Sequence, residues 1–146
     1  MITSKLKTIL ASSGCTLVLY ESDKIANLKV DQSNQNDIIG LIIQPNEVLL
    51  EVKANAILEH YPPVLIEVIQ QVELEGAADS NEVKLQLLLD TCKEIILYLI
   101  KSGEYKQIKP MTLTKIQENK YDANVIGWSM PLDLYYLKNE NKNPCL

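Results

Sequence analysis

The chain contains no phenylalanine and no arginine. Seven tyrosines and the single Trp128 therefore supply every aromatic contact. Without arginine there is no planar, five-donor fork to read phosphate, carboxylate or guanine bidentately. The lysines are scattered, and 19 acidic residues leave a formal net charge of −5. Nucleic-acid binders carry a basic patch or stripe; none occurs here, so no specific nucleic-acid binding is expected.

Glycine is sparse. Gly14, Gly40, Gly76, Gly103 and Gly127 stand isolated, so neither a dinucleotide fingerprint nor a phosphate-cradling loop exists. The three cysteines, Cys15, Cys92 and Cys145, are far apart and form no C-x-x-C pair. That excludes the usual spacing of a zinc site or a thioredoxin-like redox pair, and a reducing compartment is the simplest fit. His60 is the only histidine. With no G-x-S-x-G motif to serve, it reads as a surface histidine ahead of a proline turn. The longest apolar stretch, Leu85 to Ile100, is interrupted by Asp90, Lys93 and Glu94 and falls short of the roughly 18 residues of a membrane span. The first residues are too polar for a signal peptide. The expectation is a soluble intracellular protein with no metal, cofactor or membrane partner, and not an enzyme.

What is present is aliphatic. At 146 residues, 47% hydrophobic and 23% charged, the chain suits one globular domain, residues 1–138, with a polar tail at 139–146. Such a length buries roughly 68–70% of the unfolded surface without a disulfide or metal.

Residues 2–12 present Leu6, Ile9 and Leu10 on one helical face, and Gly14 ends that helix. Cys15–Tyr20 reads as a strand, and the polar run at 31–37 as a loop. Ile38–Gln44 and Val48–Lys53 read as a hairpin turning at Pro45-Asn46. A helical turn is expected over 54–60, ended by Pro62-Pro63.

Val64–Leu74 alternates. Val64, Ile66, Val68, Val72 and Leu74 point one way, and Glu67, Gln71 and Glu73 the other. Period two predicts a strand, with a helix as the competing reading. Glu67, Glu73 and the nearby Glu75 lack the split environments that make a carboxylate pair into acid and base, so they read as solvated or subunit-facing.

The clearest element is a helix over 80–102, capped at Asp79 or Ser80 and stopped at Gly103. Its apolar stripe runs through Leu85, Leu88, Leu89, Cys92, Ile95, Ile96, Leu99 and Ile100. Val83, Leu87, Leu97 and Tyr98 widen the apolar surface past one face, as deep burial or a subunit interface would require.

Tyr105–Gln117 and Asn124–Leu137 read as an antiparallel hairpin. The second run alternates Ile126, Trp128, Met130, Leu132, Leu134 and Tyr136 with smaller or polar residues. Gly127 within it predicts a bulge or a close backbone approach, and Pro131 an edge strand or a bulge. Trp128 with Tyr121, Tyr135 and Tyr136 reads as packing rather than base stacking. The resulting fold class is α+β: an antiparallel sheet with one long and one short helix packed on one face.

The block Tyr121-Asp-Ala-Asn-Val-Ile-Gly-Trp-Ser-Met-Pro-Leu-Asp-Leu134 resembles the closing hairpin of bacteriophage tail-terminator and tail-completion proteins. There a polar turn leads into a glycine-bearing strand and then alternating apolar residues. The order of elements is similar too, and the Ile-, Asn- and Lys-rich composition suits an AT-rich genome such as that of a crAss-like phage. The resemblance implies a structural virion protein: a homo-oligomeric ring at the head–tail connector, stacked on portal, neck or tail proteins, with DNA free to pass through the lumen. It brings no catalytic residues. Leu87, Leu97, Tyr98, Gly127 and Pro131 are the candidate subunit-interface residues. The early region matches that family only roughly, so the ring type stays open. A small cytosolic ligand-binding or regulatory domain is the alternative.

Overall fold

The computed structural model describes residues 2–20, 29–30, 33–34, 36–43, 48–54, 56–72, 78–107, 110–117 and 124–136. The expected Pro45-Asn46 turn, residues 120–123 of the loop expected to join the last two strands over 120–124, Glu73, Glu75, Tyr121 and the tail with Cys145 lie outside them. The fold class is α+β, as the patterning predicts. Helix α1 spans Ile2–Ser12 and α2 spans Ala78–Ser102. The strands are β1 (Leu17–Leu19), β2 (Ile39–Ile43), β3 (Leu49–Lys53), β4 (Ala56–Gln71), β5 (Tyr105–Gln107), β6 (Thr114–Ile116) and β7 (Val125–Tyr136).

Two long antiparallel strands, β4 and β7, form the spine. On the outer flank of β4 lie two short strands in line. Residues Ile39–Ile43 of β2 pair with Leu65–Ile69, and Leu49–Lys53 of β3 pair with Ala56–His60. On the outer flank of β7, β5 pairs with Leu134–Tyr136 and β6 with Gly127–Ser129. Only β1 is parallel to its neighbour, β2. Among the described residues both flanks are therefore interrupted at the same level of the sheet, and there β4 itself shifts register between Tyr61 and Val64.

This arrangement corrects three expectations. β2 and β3 do not form a hairpin with each other; each pairs with β4 instead. Residues 54–60 are not a helical turn. Ala54, at φ 45°, opens a tight turn that carries the chain from β3 straight back into β4, in the positive-φ conformation that two-residue hairpin loops require. Pro62-Pro63 therefore does not end a helix. It sits inside β4 at the register shift, where two residues oppose one on β7, and such a bulge is where a strand tolerates proline.

Direct cross-strand partners project to the same face. On one face Ile42, Val64, Ile66, Val68, Ile126, Met130, Leu132 and Leu134 meet α1 through Leu6, Ile9 and Leu10, and α2 through Leu85, Leu88, Cys92, Ile95 and Leu99. On the other face Leu19, Val30, Ile39, Leu41, Ile69, Ile116 and Val125 form a smaller cluster.

The end of α1 shows why Gly14 is needed. The Cys15 amide donates to Leu10 O at 3.1 Å and the Ser13 amide to Ile9 O at 2.9 Å, with Gly14 at φ 109°. This is a Schellman closure, which an L side chain at Gly14 would strain.

Gly127 is a close-approach glycine. A Cβ there would lie 2.0 Å from Val68 O and 2.8 Å from Ile69 Cα. No register shift accompanies it. Pro131 does not mark an edge, because β7 lies in the middle of the sheet. Its missing donor falls opposite the break between β5 and β6. In that gap the Gln107 side chain replaces a strand partner, its Oε1 accepting the Asp133 amide at 3.1 Å.

Candidate functional site

The expected interface residues separate into two groups. Leu87, Leu97 and Tyr98 are exposed on α2, while Gly127 is buried in the sheet and Pro131 half-buried beside the break. Gly127 presents no side chain or free backbone edge to a neighbouring molecule, since β4 and β6 flank it. The α2 stripe also narrows. Leu85, Leu88, Cys92, Ile95 and Leu99 are buried, but Ile100 is 66% exposed. The outward face of α2 thus carries Val83, Leu87, Leu97, Tyr98 and Ile100, with Lys101 Nζ 5.9 Å from the Tyr98 ring centroid.

A second apolar surface was not anticipated. The hairpin of β3 and the first residues of β4 projects past the helices as an arm. Val48, Leu49, Leu50, Val52 and Ile57 on it are all exposed, Val52 to 75%. Leu50, Val52 and Ile57 alternate onto the helix-side face, while Leu49 points to the other. Ten of the eleven exposed large hydrophobics among the described residues lie on the arm or on α2, the exception being Tyr20.

The arm root is tied to β7. His60 Nε2 is 2.5 Å from Asp133 Oδ1, and the imidazole stacks on Tyr135 at 4.6 Å between centroids. The Tyr135 hydroxyl donates to Glu51 Oε2 on β3 at 2.9 Å, which raises its pKa. On the opposite face the Tyr61 hydroxyl donates to Glu59 Oε2 at 2.6 Å. Burial, then that bond, pushes the Tyr61 pKa up. Tyr61, Tyr105 and Tyr136 pack edge-on and tilted beneath it.

His60 is therefore no surface histidine before a turn; it is a mid-strand residue on a buried carboxylate. Sequence patterning did not reveal Asp133 as its partner, because the two are 73 residues apart and meet only through the β4–β7 register. A carboxylate-oriented imidazole is half of a nucleophilic triad. The other half is not supplied by the buried thiols. Burial pushes both Cys15 and Cys92 up to about 12, which keeps them protonated and unreactive.

Glu67 is also not solvated. It is fully buried in the middle of the sheet, facing Leu41 and Ser129 across the ladders. Among the described residues, Tyr135 and Tyr136 do not cluster with Trp128. Tyr136 is eight residues along the strand and Tyr135 on the other face, while Trp128 Nε1 donates to Leu85 O of α2 at 2.9 Å.

Two concavities flank α2. An open depression of about 430 Å³ lies at Glu82, Val83, Leu85, Gln86 and Trp128. A narrower apolar slot of about 80 Å³ lies between the end of α2, β5 and β7. Among the described residues no group of three metal-ligating side chains occurs, and no helix is long and apolar enough to cross a membrane. Compared with protein-family models, curated proteins and solved structures, the chain matches none.

Proposed function

We propose that this chain is a structural subunit that assembles head to tail into a homo-oligomeric ring. We place that ring at the head–tail connector of a bacteriophage, in the role that tail-terminator and tail-completion proteins play, stacked against portal, neck or tail proteins within the virion. The subunit turns over no substrate.

One observation carries the reading. The exposed hydrophobics concentrate on two separate elements, the arm and α2, rather than on one. A symmetric dimer needs one self-complementary patch; a ring needs two different patches that fit each other. The resemblance of residues 121–134 to the closing hairpin of neck proteins supplies the setting. A ligand-binding domain is less well supported: the slot of about 80 Å³ is small beside the ~300–1,000 Å³ of a typical ligand pocket, and the depression of about 430 Å³ at Trp128 is of that size but open to solvent rather than enclosing.

Mass spectrometry of purified virus particles from the source tests the reading. The expected result is this chain at a fixed, low copy number per particle, about one ring's worth. Its absence from particles overturns the virion assignment.

A further inference from the structure

We propose that His60 is a proton-sensitive latch for the arm. Charged, its imidazole fastens the arm root to β7; on losing the proton it lets the arm loosen. This device works within a single chain and does not depend on the ring reading.

The latch sits where the arm leaves the body. The β4–β7 ladder ends at Glu59 and Tyr136, and His60 is the next residue inward, facing Leu49 of β3 on one side and Tyr135 on the other. Among the described residues, β4 beyond Glu59 pairs with β3 alone. His60 alternates with Tyr61, which packs on the helix side, so the imidazole lies on the opposite face of the sheet. There the side chains form one relay from β7 into the arm. His60 Nε2 lies 2.5 Å from Asp133 Oδ1, the imidazole stacks on Tyr135 at 27° between planes, and the Tyr135 hydroxyl donates to Glu51 Oε2 of β3.

The charges around the ring set the sign. The Asp133 carboxylate is buried and in direct contact. The Glu51 carboxylate stands behind the Tyr135 hydroxyl. Lys106 of β5 pairs with Tyr135 from the side away from His60, and Lys53 pairs with Ala56, four residues out along the arm. Glu59 is on the other face, where it accepts from Tyr61. Among the described residues the nearest charge is thus negative. A charged imidazole gains a charge-assisted bond, about twice as strong as a neutral one, and rests its charge on a tyrosine face. Burial opposes charging, but the side chain stays 20% exposed. The latch is therefore tight in acid and loosens as pH rises through the ordinary histidine range, about pH 5 to 8. His60 is the only histidine in the chain.

A nitroxide on the arm tests the latch. It is attached at Val52→Cys, an exposed position, in a Cys145→Ser background; buried Cys15 and Cys92 stay unlabelled. Spectra are recorded from pH 5.5 to 8.5, with the denaturant midpoint verifying the fold. The expected result is a mobile fraction that rises about threefold or more across the range. His60→Gln should abolish that dependence and leave the arm mobile at every pH, and Asp133→Asn should do the same. A mobile fraction that is constant with pH overturns the proposal on the otherwise native chain alone. So does an equal rise in His60→Gln, which would place the titration elsewhere. Tenfold dilution should leave the series unchanged; a series that shifts on dilution reports association instead and also overturns the latch.

Discussion

The sheet has two halves that share strands and differ in everything else. Below the break in β4, Val64, Ile66, Val68, Met130 and Leu132 lie under two helices and are essentially inaccessible. Above it, Leu49, Leu50, Val52 and Ile57 stand in solvent on the same kind of alternating strand. Composition does not distinguish the halves; coverage does. The arm is held by polar contacts at its root, His60 with Asp133 and Tyr135 with Glu51, and not by a layer of its own. A strand pattern announces that a face is apolar, and topology decides whether the chain covers that face or leaves it for a partner.

The largest effect that separates the halves is expected at Gly127. A Val there drives its Cβ into Val68 O and the Ile69 backbone, between the two spine strands. Because backbone and not a flexible side chain must move, the loss should exceed about 3 kcal/mol, the upper end for ordinary overpacking. A denaturant midpoint within error of wild type for Gly127→Val would remove the close approach from the account.

Trp128→Ala comes next. The indole is half-buried against α2 and donates to Leu85 O. Truncation should cost about 2–3 kcal/mol, below the roughly 3–5 kcal/mol of a fully buried aromatic. It ties α2 to the lower half, so amide exchange should accelerate around Leu85 and not in the arm. Uniform acceleration across both halves would show that they unfold as one unit.

A smaller, pH-dependent effect also belongs to the lower half. Cys15 and Cys92 are pushed from 9.0 to about 12 by burial. A folded-state pKa above the unfolded value gives stability that is complete below the unfolded pKa. It is lost as pH rises towards the folded one. Stability should therefore fall between about pH 9 and 12 as unfolded thiols ionise and folded ones do not. Cys92→Ala should flatten that fall in part, the rest being carried by Cys15 and by the Tyr61 and Tyr105 hydroxyls, which burial also pushes up. An unchanged alkaline slope would mean that the thiol is not held protonated.

Legibility in the sequence followed the same division. α2, the alternation of β7 and the inward set Val64, Ile66 and Val68 were readable, because each is a long, strongly periodic segment whose burial is set within the element. The β2–β3 hairpin was misread because Pro45-Asn46 carries turn chemistry, whereas the actual reversal at Ala54 carries none of the usual Asn-Gly or Gly-Gly signal. Once Ala54 was missed, residues 54–60 lost their partner strand, and a short helix fitted their composition equally well. Pro131 suggested an edge because a missing donor is easily seen in sequence. An interruption in the neighbouring strand that tolerates it is not. His60 and Asp133 were invisible as a pair for the same reason as Glu67's burial. Both depend on which strands lie side by side, and no local pattern records that. Of the interface residues, Leu87, Leu97 and Tyr98 were legible as an excess over one helical face. The arm was not, since an exposed apolar strand and a buried one look alike.

The smallest expected effect is the sharpest test of the comparison. Val52→Thr keeps the β-branched shape, and with it the strand preference, while replacing a methyl by a hydroxyl. At a buried site such as Val68 that exchange strands a polar group and costs about 1–3 kcal/mol. At Val52, three-quarters exposed, the isolated subunit should change by less than about 0.5 kcal/mol. The paired substitutions, Val52→Thr and Val68→Thr, therefore put one chemical change on each side of the break. Equal midpoint losses would mean that the arm is packed in solution, and the contrast between a covered and an uncovered half would fall. A loss confined to Val68→Thr leaves Val52 as a residue whose hydrophobicity serves no fold of its own, and which therefore has value only against another surface.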